Sequence, residues 1–197
     1  MAENRRLTFT EEARRRQIVD RTIELMSERG HAGTSLSAIA AAAGISKAAV
    51  LYHFTSKDKV IEAALAHVLD GYVAAVSRQV EAAPDAEGMI VAYIGAAMRH
   101  LGEHPTHVRV IVEVLASTGA AAPGTPGATQ RWQAVAGMID LGKESGRFRD
   151  VDSRVMALAI GGALDGVVAE WIADPTFDLD AAAVELQTAV LLALRAG

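Results

Sequence analysis

Residues 34–57 read TSLSAIAAAAGISKAAVLYHFTSK, and the fold turns on them. Thr34 or Ser35 offers a hydroxyl to cap a short helix running to Ala43, with Leu36, Ile39 and Ala40 on its inner side. Gly44 breaks that helix. Ser46 caps a second, which carries Val50 and Phe54 on one side and turns Lys47, Ala48, Leu51 and Tyr52 outward. Ala40 and Ala43 are small enough for the two helices to approach closely, and Ile39, Ile45, Val50 and Phe54 close a little core between them. Two short helices around a glycine turn make a helix-turn-helix. In such a motif the second helix enters the DNA major groove with its N-terminal half at the base edges.

Helical periodicity continues on both sides, with no alternating strand pattern. Upstream, Thr8 or Thr10 caps a first helix with Glu11 and Glu12 in its opening turn, an inner stripe of Ile18, Val19, Thr22, Ile23 and Met26, and Gly30 as a left-handed stop. Downstream, Ser56 caps a helix from Lys57 to about Val80. EAAPD (81–85) marks a boundary, followed by helices over 85–102, 104–116, 130–145, 152–173 and 179–194. Gly-Pro-rich 119–129 is expected to be a loop, and SGRFRDVDS (145–153) and ADPTFDLD (173–180) are joints. Residues 1–8 read as a loose arm. The expected fold is all-α: an N-terminal three-helix helix-turn-helix domain over residues 1–59, then a second helical domain over 60–197.

The chain has 197 residues, a net charge of −5 and no cysteine. That length buries a sizeable core. Absence of Cys removes disulfide scaffolds, Cys-ligated zinc, iron–sulfur clusters and thiol nucleophiles, and fits a cytoplasmic protein. MAENRRLTFTEEARRR has no apolar core of a secretory signal. The longest apolar stretches, 89–98 and 155–164, read as too short to cross a bilayer, so no membrane is expected as partner. The acidic total hides an asymmetry. Residues 1–59 hold ten Lys and Arg against seven Asp and Glu; residues 60–197 hold nine against seventeen. A basic head on an acidic body points to a division of labour.

RRQIVDRTIELMSERG (15–30) and TSLSAIAAAAGISKAAVLYHFTSKDKVIEAAL (34–65) resemble the N-terminal domain of TetR-type transcriptional regulators. The Gly44-Ile45-Ser46-Lys47 turn, the Tyr52-His53-Phe54 triplet and Lys57 are the most specific parts. The resemblance implies that Thr34 or Ser35 gives a hydroxyl and a helix N-terminus to a phosphate. It places Ser46 and Lys47 at a phosphate or base edge, Tyr52 and His53 against the sugar–phosphate backbone, and Lys57 on another phosphate. Ala48, Ala49 and Leu51 depart from the Gly, Thr or Asn, and Tyr common in the family. They leave thymine-methyl contacts and DNA shape as means of reading.

The resemblance also implies a homodimer formed through the last two helices, which carry Gly161, Gly162, Ala163 and Ala181–Ala183, and a small-molecule effector pocket in the body. Candidate lining residues are Tyr72, Met89, Tyr93, Met98, Trp132, Met138 and Met156, with Arg109, Glu113 or Asp165 as polar anchor. The same Met and aromatic spacing also describes plain core. The leading expectation is a repressor bound as a dimer to a palindromic double-stranded DNA operator and released by an unidentified effector. The alternative is a ligand-binding or protein-interaction module with degenerate DNA reading. His100 and His104 have metal-ligand spacing with His107 nearby, but Pro105 ends the helix between them. No metal, no cofactor and no enzyme activity are expected, since catalytic elbows, phosphate loops and dinucleotide fingerprints are lacking.

Overall fold

Thr8 starts the first helix, α1 (Phe9–Gly33), through a reciprocal capping box: its hydroxyl accepts from the Glu11 amide, and the Glu11 carboxylate accepts from the Thr8 amide at 2.8 Å. The computed structural model describes residues 8–118 and 126–195. The arm over 1–7, with Arg5 and Arg6, and residues 119–125 of the expected loop lie outside the described residues. Eight further helices are described: α2 (Leu36–Ala42), α3 (Lys47–His53), α4 (Lys57–Glu81), α5 (Ala86–Glu103), α6 (Pro105–Thr118), α7 (Pro126–Glu144), α8 (Ser153–Ala173) and α9 (Leu179–Leu194). Among the described residues an antiparallel bridge between Phe148 and Arg195 is the one β-type pairing.

Most boundaries follow side-chain caps. Ser35, Ser46, Asp85, Asp152 and Asp178 each accept from an amide in the first turn of the helix that follows. α7 begins at Pro126 rather than Gln130. Proline suits the first helical position, where its missing N–H has no partner to lose and its φ is already helical. Residues 126–129 are therefore helix, not loop.

The chain forms two compact units, Met1–Asp70 with Pro105–Ala121, and Gly71–His104 with Ala122–Gly197. This partition differs from the division at 59/60 in two ways. The first unit keeps the opening turns of α4, and it takes in α6 from far along the chain. In this unit α1 packs chiefly on α6 and α2, and α2 on α3. Its core joins Ile18, Ile23 and Met26 of α1, Ile39 of α2, Val50 of α3 with Phe54 at that helix's C-cap, Val60, Ala64 and Val68 of α4, and Val110 and Val114 of α6. Each large apolar side chain buried here contributes about 1.5–3 kcal/mol relative to exposure. Ile39, Val50 and Phe54 meet as the sequence implies; Ile45 is half-buried at the rim.

In the second unit α5 lies against α9 and α7, and α7 against α8. Its core includes Ile90, Tyr93, Ile94, Met98, Ile139, Ile160 and Leu194. The GRFRDVD joint turns at Gly146 (φ +70) and delivers Phe148 onto Gly142 of α7. Arg149 fastens the joint to the end of α9, its amide donating to Leu194 O at 2.9 Å and its Nε to Ala193 O at 2.7 Å.

One expectation from the sequence needs correcting. By length and composition α4 and α8 are long and apolar enough to cross a bilayer, with mean hydropathy 1.4 and 1.6 over eighteen residues. The apolar stretch 155–164 continues past the single Asp165 through Gly, Val and Ala. Only 22% of that window of α8 is buried in the unit. Val155, Leu158 and Ile172 are exposed on it, as are Val184 and Leu192 on α9.

The Phe148 seat is directly testable. A Cβ on Gly142 would lie 2.0 Å from the Phe148 ring, whereas one on Gly137 of the same helix meets nothing within 4 Å. Gly142→Ala is expected to destabilise by about 1–3 kcal/mol through overpacking, and Gly137→Ala to stabilise by up to about 1 kcal/mol through helix propensity. Denaturant midpoints of both variants decide; equal midpoints would refute the packing assignment.

Candidate nucleic-acid interface

The turn between α2 and α3 is closed by two backbone hydrogen bonds. Gly44 takes φ +66, the Ile45 amide donates back to Ala40 O at 3.0 Å, and the Gly44 amide donates to Ala41 O at 3.2 Å. These two bonds form a Schellman motif, which satisfies the last carbonyls of α2 and requires a left-handed residue at its corner. No atom would crowd a Cβ at Gly44, so the dihedral alone selects glycine. The helix axes bend by 100° across the turn, within the range of helix-turn-helix motifs.

Val50, fully buried, anchors α3 and decides which face it shows. Ser46, Lys47, Ala48, Leu51 and Tyr52 are exposed, while Ala49 and His53 are half-buried. Ser46 Oγ accepts from the Ala49 amide at 3.1 Å, so the cap uses the hydroxyl's lone pair and leaves its O–H to donate outward. Ser35 caps α2 in the same way through the Ala38 amide, at 3.1 Å. Tyr52 is 69% exposed; its hydroxyl donates to Glu11 Oε1 at 3.2 Å, and its ring meets His53 edge-on with centroids 5.1 Å apart. Arg15 donates to the His53 carbonyl and lies over the Phe54 ring at 4.0 Å. Burial lowers the His53 pKa, and the Arg15 charge adds to the effect. Both favour the neutral imidazole of His53 over its charged form.

Two residues named from the sequence are placed differently. Thr34 is completely buried and its hydroxyl donates to Gly30 O at 2.8 Å, so of the two candidates Ser35 alone stands at the surface. Lys57 is half-buried and gives one N–H to His31 O at 2.9 Å, leaving the rest of its ammonium for another acceptor. Arg15, which orients α3 through the His53 carbonyl, was not singled out from the sequence. Its place in a run of three arginines hid it.

The residues named for an effector pocket divide between the units. Tyr93, Met98 and Met138 are buried in the core of the second unit, and Tyr72, Met89, Trp132 and Met156 pack against it. The Arg154 guanidinium already covers the Trp132 ring at 5.0 Å. A cleft of about 380 Å³ in this unit runs past Met98, Trp171, Phe177 and Glu103 and includes none of the other six. Arg109 and Glu113 belong to the first unit, where they meet the end of α1: Arg109 is 3.4 Å from Ser27 O and Glu113 accepts from the His31 amide at 2.8 Å. Asp165 is on an exposed face of α8. Helix periodicity marks these side chains as inward or polar without saying which neighbour they meet. His104 caps the end of α5, with its ring 4.4 Å from that of His100. Among the described residues no three His, Cys, Asp or Glu side chains are grouped to hold a metal.

Residues 18–64 match the family model of bacterial regulatory proteins, tetR family. The HTH-type transcriptional regulator BetI of Burkholderia thailandensis is 41% identical over 75 residues, 38% of each chain. The chain thus matches well under half the length of this curated relative. Beyond that segment the likeness is one of fold. The fatty acid degradation regulator FadR from Bacillus halodurans superimposes with a TM-score of 0.79 at 22% identity, over 95% of this chain and 97% of that one. A putative transcriptional regulator from Saccharomonospora viridis, solved in complex with choline, does so with a TM-score of 0.78 at 22% identity, over 94% of this chain and all of the other.

Caps and exposed side chains on α2 and α3 should separate in a stability measurement. Ser46→Ala and Ser35→Ala each lose an N-cap and are expected to cost about 1 kcal/mol. Lys47→Ala should stay within about 0.5 kcal/mol of the parent. Thermal or urea unfolding checks this, and a Lys47→Ala loss as large as that of Ser46→Ala would contradict the placement.

Proposed function

From the match of residues 18–64 to the family model of bacterial regulatory proteins, tetR family, we propose that the chain is a cytoplasmic DNA-binding transcriptional regulator, and specifically a repressor. It binds a palindromic operator as a homodimer and is released by a small-molecule effector. The observation that carries this reading is the α3 face: a helix capped at its start, anchored by buried Val50, and showing Ser46, Lys47, Ala48, Leu51 and Tyr52 outward. Lys47 supplies charge at the N-terminal end, where such a helix meets base edges and phosphate. Ser35, Ser46, Tyr52, His53 and the remaining donors of Lys57 supply neutral and charged contacts to the backbone. Ala48, Ala49 and Leu51 offer surface to thymine methyls.

The exposed apolar face of α8 supports the dimer. Val155, Leu158, Gly162, Asp165, Ala169 and Ile172 are all exposed and follow one another at steps of three and four. That spacing is a helix-pairing seam. Small residues at 162 and 169 let a second helix come close. A second copy accounts for this surface better than lipid does, because Asp165 sits in the middle of the seam and a carboxylate in hydrocarbon is costly. A dimer also fits a helix-turn-helix, which reads two half-sites about one helical turn apart. The effector is assigned to the core of the second unit, near Tyr72, Tyr93 and Trp132. That the similar Saccharomonospora viridis protein was solved in complex with choline supports a small-molecule effector.

Selection from random duplexes by the full-length protein should return a palindrome. Lys47→Ala should weaken binding to it and lower the log–log salt slope by about one unit for a single lost phosphate contact. Diffuse, sequence-independent selection would favour the alternative of degenerate reading, for which the apolar positions 48, 49 and 51 are the motive. For the dimer, sedimentation of detergent-free protein should give twice the chain mass, and Leu158→Glu should give monomers. A chain that stays in solution only with detergent would overturn this use of α8.

A further inference from the structure

We infer that Glu113 of α6 is a positioning residue for the DNA-reading helices, acting through the corner between α1 and α2 that it holds. The inference rests on the proposed DNA-binding reading and adds its point of control. At that corner Gly30 leaves helical geometry with φ +67 and ψ 178. The chain then turns through residues 31–34 into α2, which carries α3 directly behind it. A left-handed residue followed by a partial turn is a soft joint, with backbone groups that no helix satisfies.

Three side chains from three places satisfy them. Glu113 Oε2 accepts from the His31 amide at 2.8 Å. Lys57 Nζ, at the start of α4, donates to His31 O at 2.9 Å. Thr34, fully buried, donates its hydroxyl to Gly30 O at 2.8 Å. One peptide segment is thus gripped by an α6 carboxylate on its N–H and an α4 ammonium on its carbonyl. Charge-assisted bonds of this kind are about twice as strong as neutral ones. The fit is close: a Cβ on Gly30 would stand 3.0 Å from Glu113 Oε2. Ser27, in the last regular turn before the corner, is met by Arg109 of the same α6 at a longer 3.4 Å.

Glu113 is distinct from the other two clamps because of where its helix comes from. Lys57 and Thr34 are local to the head. Residue 113 lies 82 positions from its partner, on a helix that enters from the second unit at His104 and returns to it after Ala121. Val110 and Val114, one on each side of it in sequence, are buried in the head core and fix α6 in register. A shift of α6 along its axis, at 1.5 Å per residue, lengthens or strains the 2.8 Å bond from the His31 amide. The joint ahead of α2 would then be held less firmly. Because the bond has good geometry in this placement of α6, it biases the head toward this arrangement of α2 and α3.

The test uses the full-length protein and the duplex it selects. Glu113→Ala should retain its unfolding transition, exchange the His31 amide proton at least tenfold faster by NMR, and bind the duplex at least tenfold more weakly. Glu113→Gln, which keeps an acceptor oxygen, should restore affinity to within about threefold of the parent, by the net worth of one neutral hydrogen bond. If Glu113→Ala does not fold, Glu113→Asp withdraws the carboxylate by one methylene and should show the same losses in smaller measure. Faster exchange with undiminished DNA affinity would overturn the inference, because the bond would then be structural only. Failure of Glu113→Gln to restore affinity would overturn it too. Failure of the parent protein to select any duplex would instead sink the DNA-binding reading, and the exchange measurement would still report on the bond.

Discussion

A single backbone dihedral, φ +66 at Gly44, sets the geometry on which the head depends. It closes the Schellman corner, bends α3 away from α2 by 100°, and so decides that Val50 points into the core while Lys47 and Tyr52 point out. An L-residue in that region costs about 1–2 kcal/mol, and no packing compensation is available because nothing surrounds the site. The rest of the head is built to keep that corner in place. Ile39 and Val50 fill the angle from within, Ile18 and Met26 close it from α1, and Phe54 closes it at the end of α3. Arg15 ties off the far end of α3 at the His53 carbonyl.

The helix starts were legible in the sequence because capping is local chemistry. Ser35, Ser46, Asp85, Asp152 and Asp178 each work within three residues of themselves, and the glycines at 30 and 44 announce left-handed turns at the same range. What was not legible was long-range. Glu113 and Arg109 looked like anchors for a ligand because they are polar residues on an otherwise apolar helix; only the packing of α6 on α1 reveals that their partners are backbone groups at the end of α1. Thr34 and Ser35 are adjacent hydroxyls with equal claims to a cap. Burial in the head core separates them. Pro126 reads as a breaker in a Gly-Pro-rich stretch, and its use as a first helical residue depends on a helix that the following residues support only weakly. Of the DNA-facing candidates, the exposed side of α3 followed directly from period 3.6 and Val50. The effector residues did not follow in that way, since the same side chains that could line a pocket are those that fill a core.

Electrostatics are divided along the chain in a way the total conceals. The described surface of α3 offers one lysine, and the head as a whole is only mildly basic, while the body is strongly acidic. Under the proposed reading the acidic body repels a duplex that approaches it and leaves the head as the favoured docking surface. On the same proposed reading, the apolar side chains at positions 48, 49 and 51 would shift discrimination from hydrogen-bonded base edges to methyl contacts and duplex shape, a gentler form of selectivity.

The first unit is not a continuous stretch of chain. It is completed by α6, which arrives after the excursion through residues 71–104. A fragment ending after the opening turns of α4 would leave the seats of Val110 and Val114 open to water and the His31 amide without its carboxylate. Grafting this head onto another body is therefore not a matter of choosing a cut site between two sequence segments. The recipient must supply a helix that can play the part of α6, or the head must bring its own across the junction. Its folding carries the same burden: the loop closure that seats α6 raises the contact order of a unit otherwise made of near-neighbour helix contacts, and slows a step that three local helices alone would complete quickly.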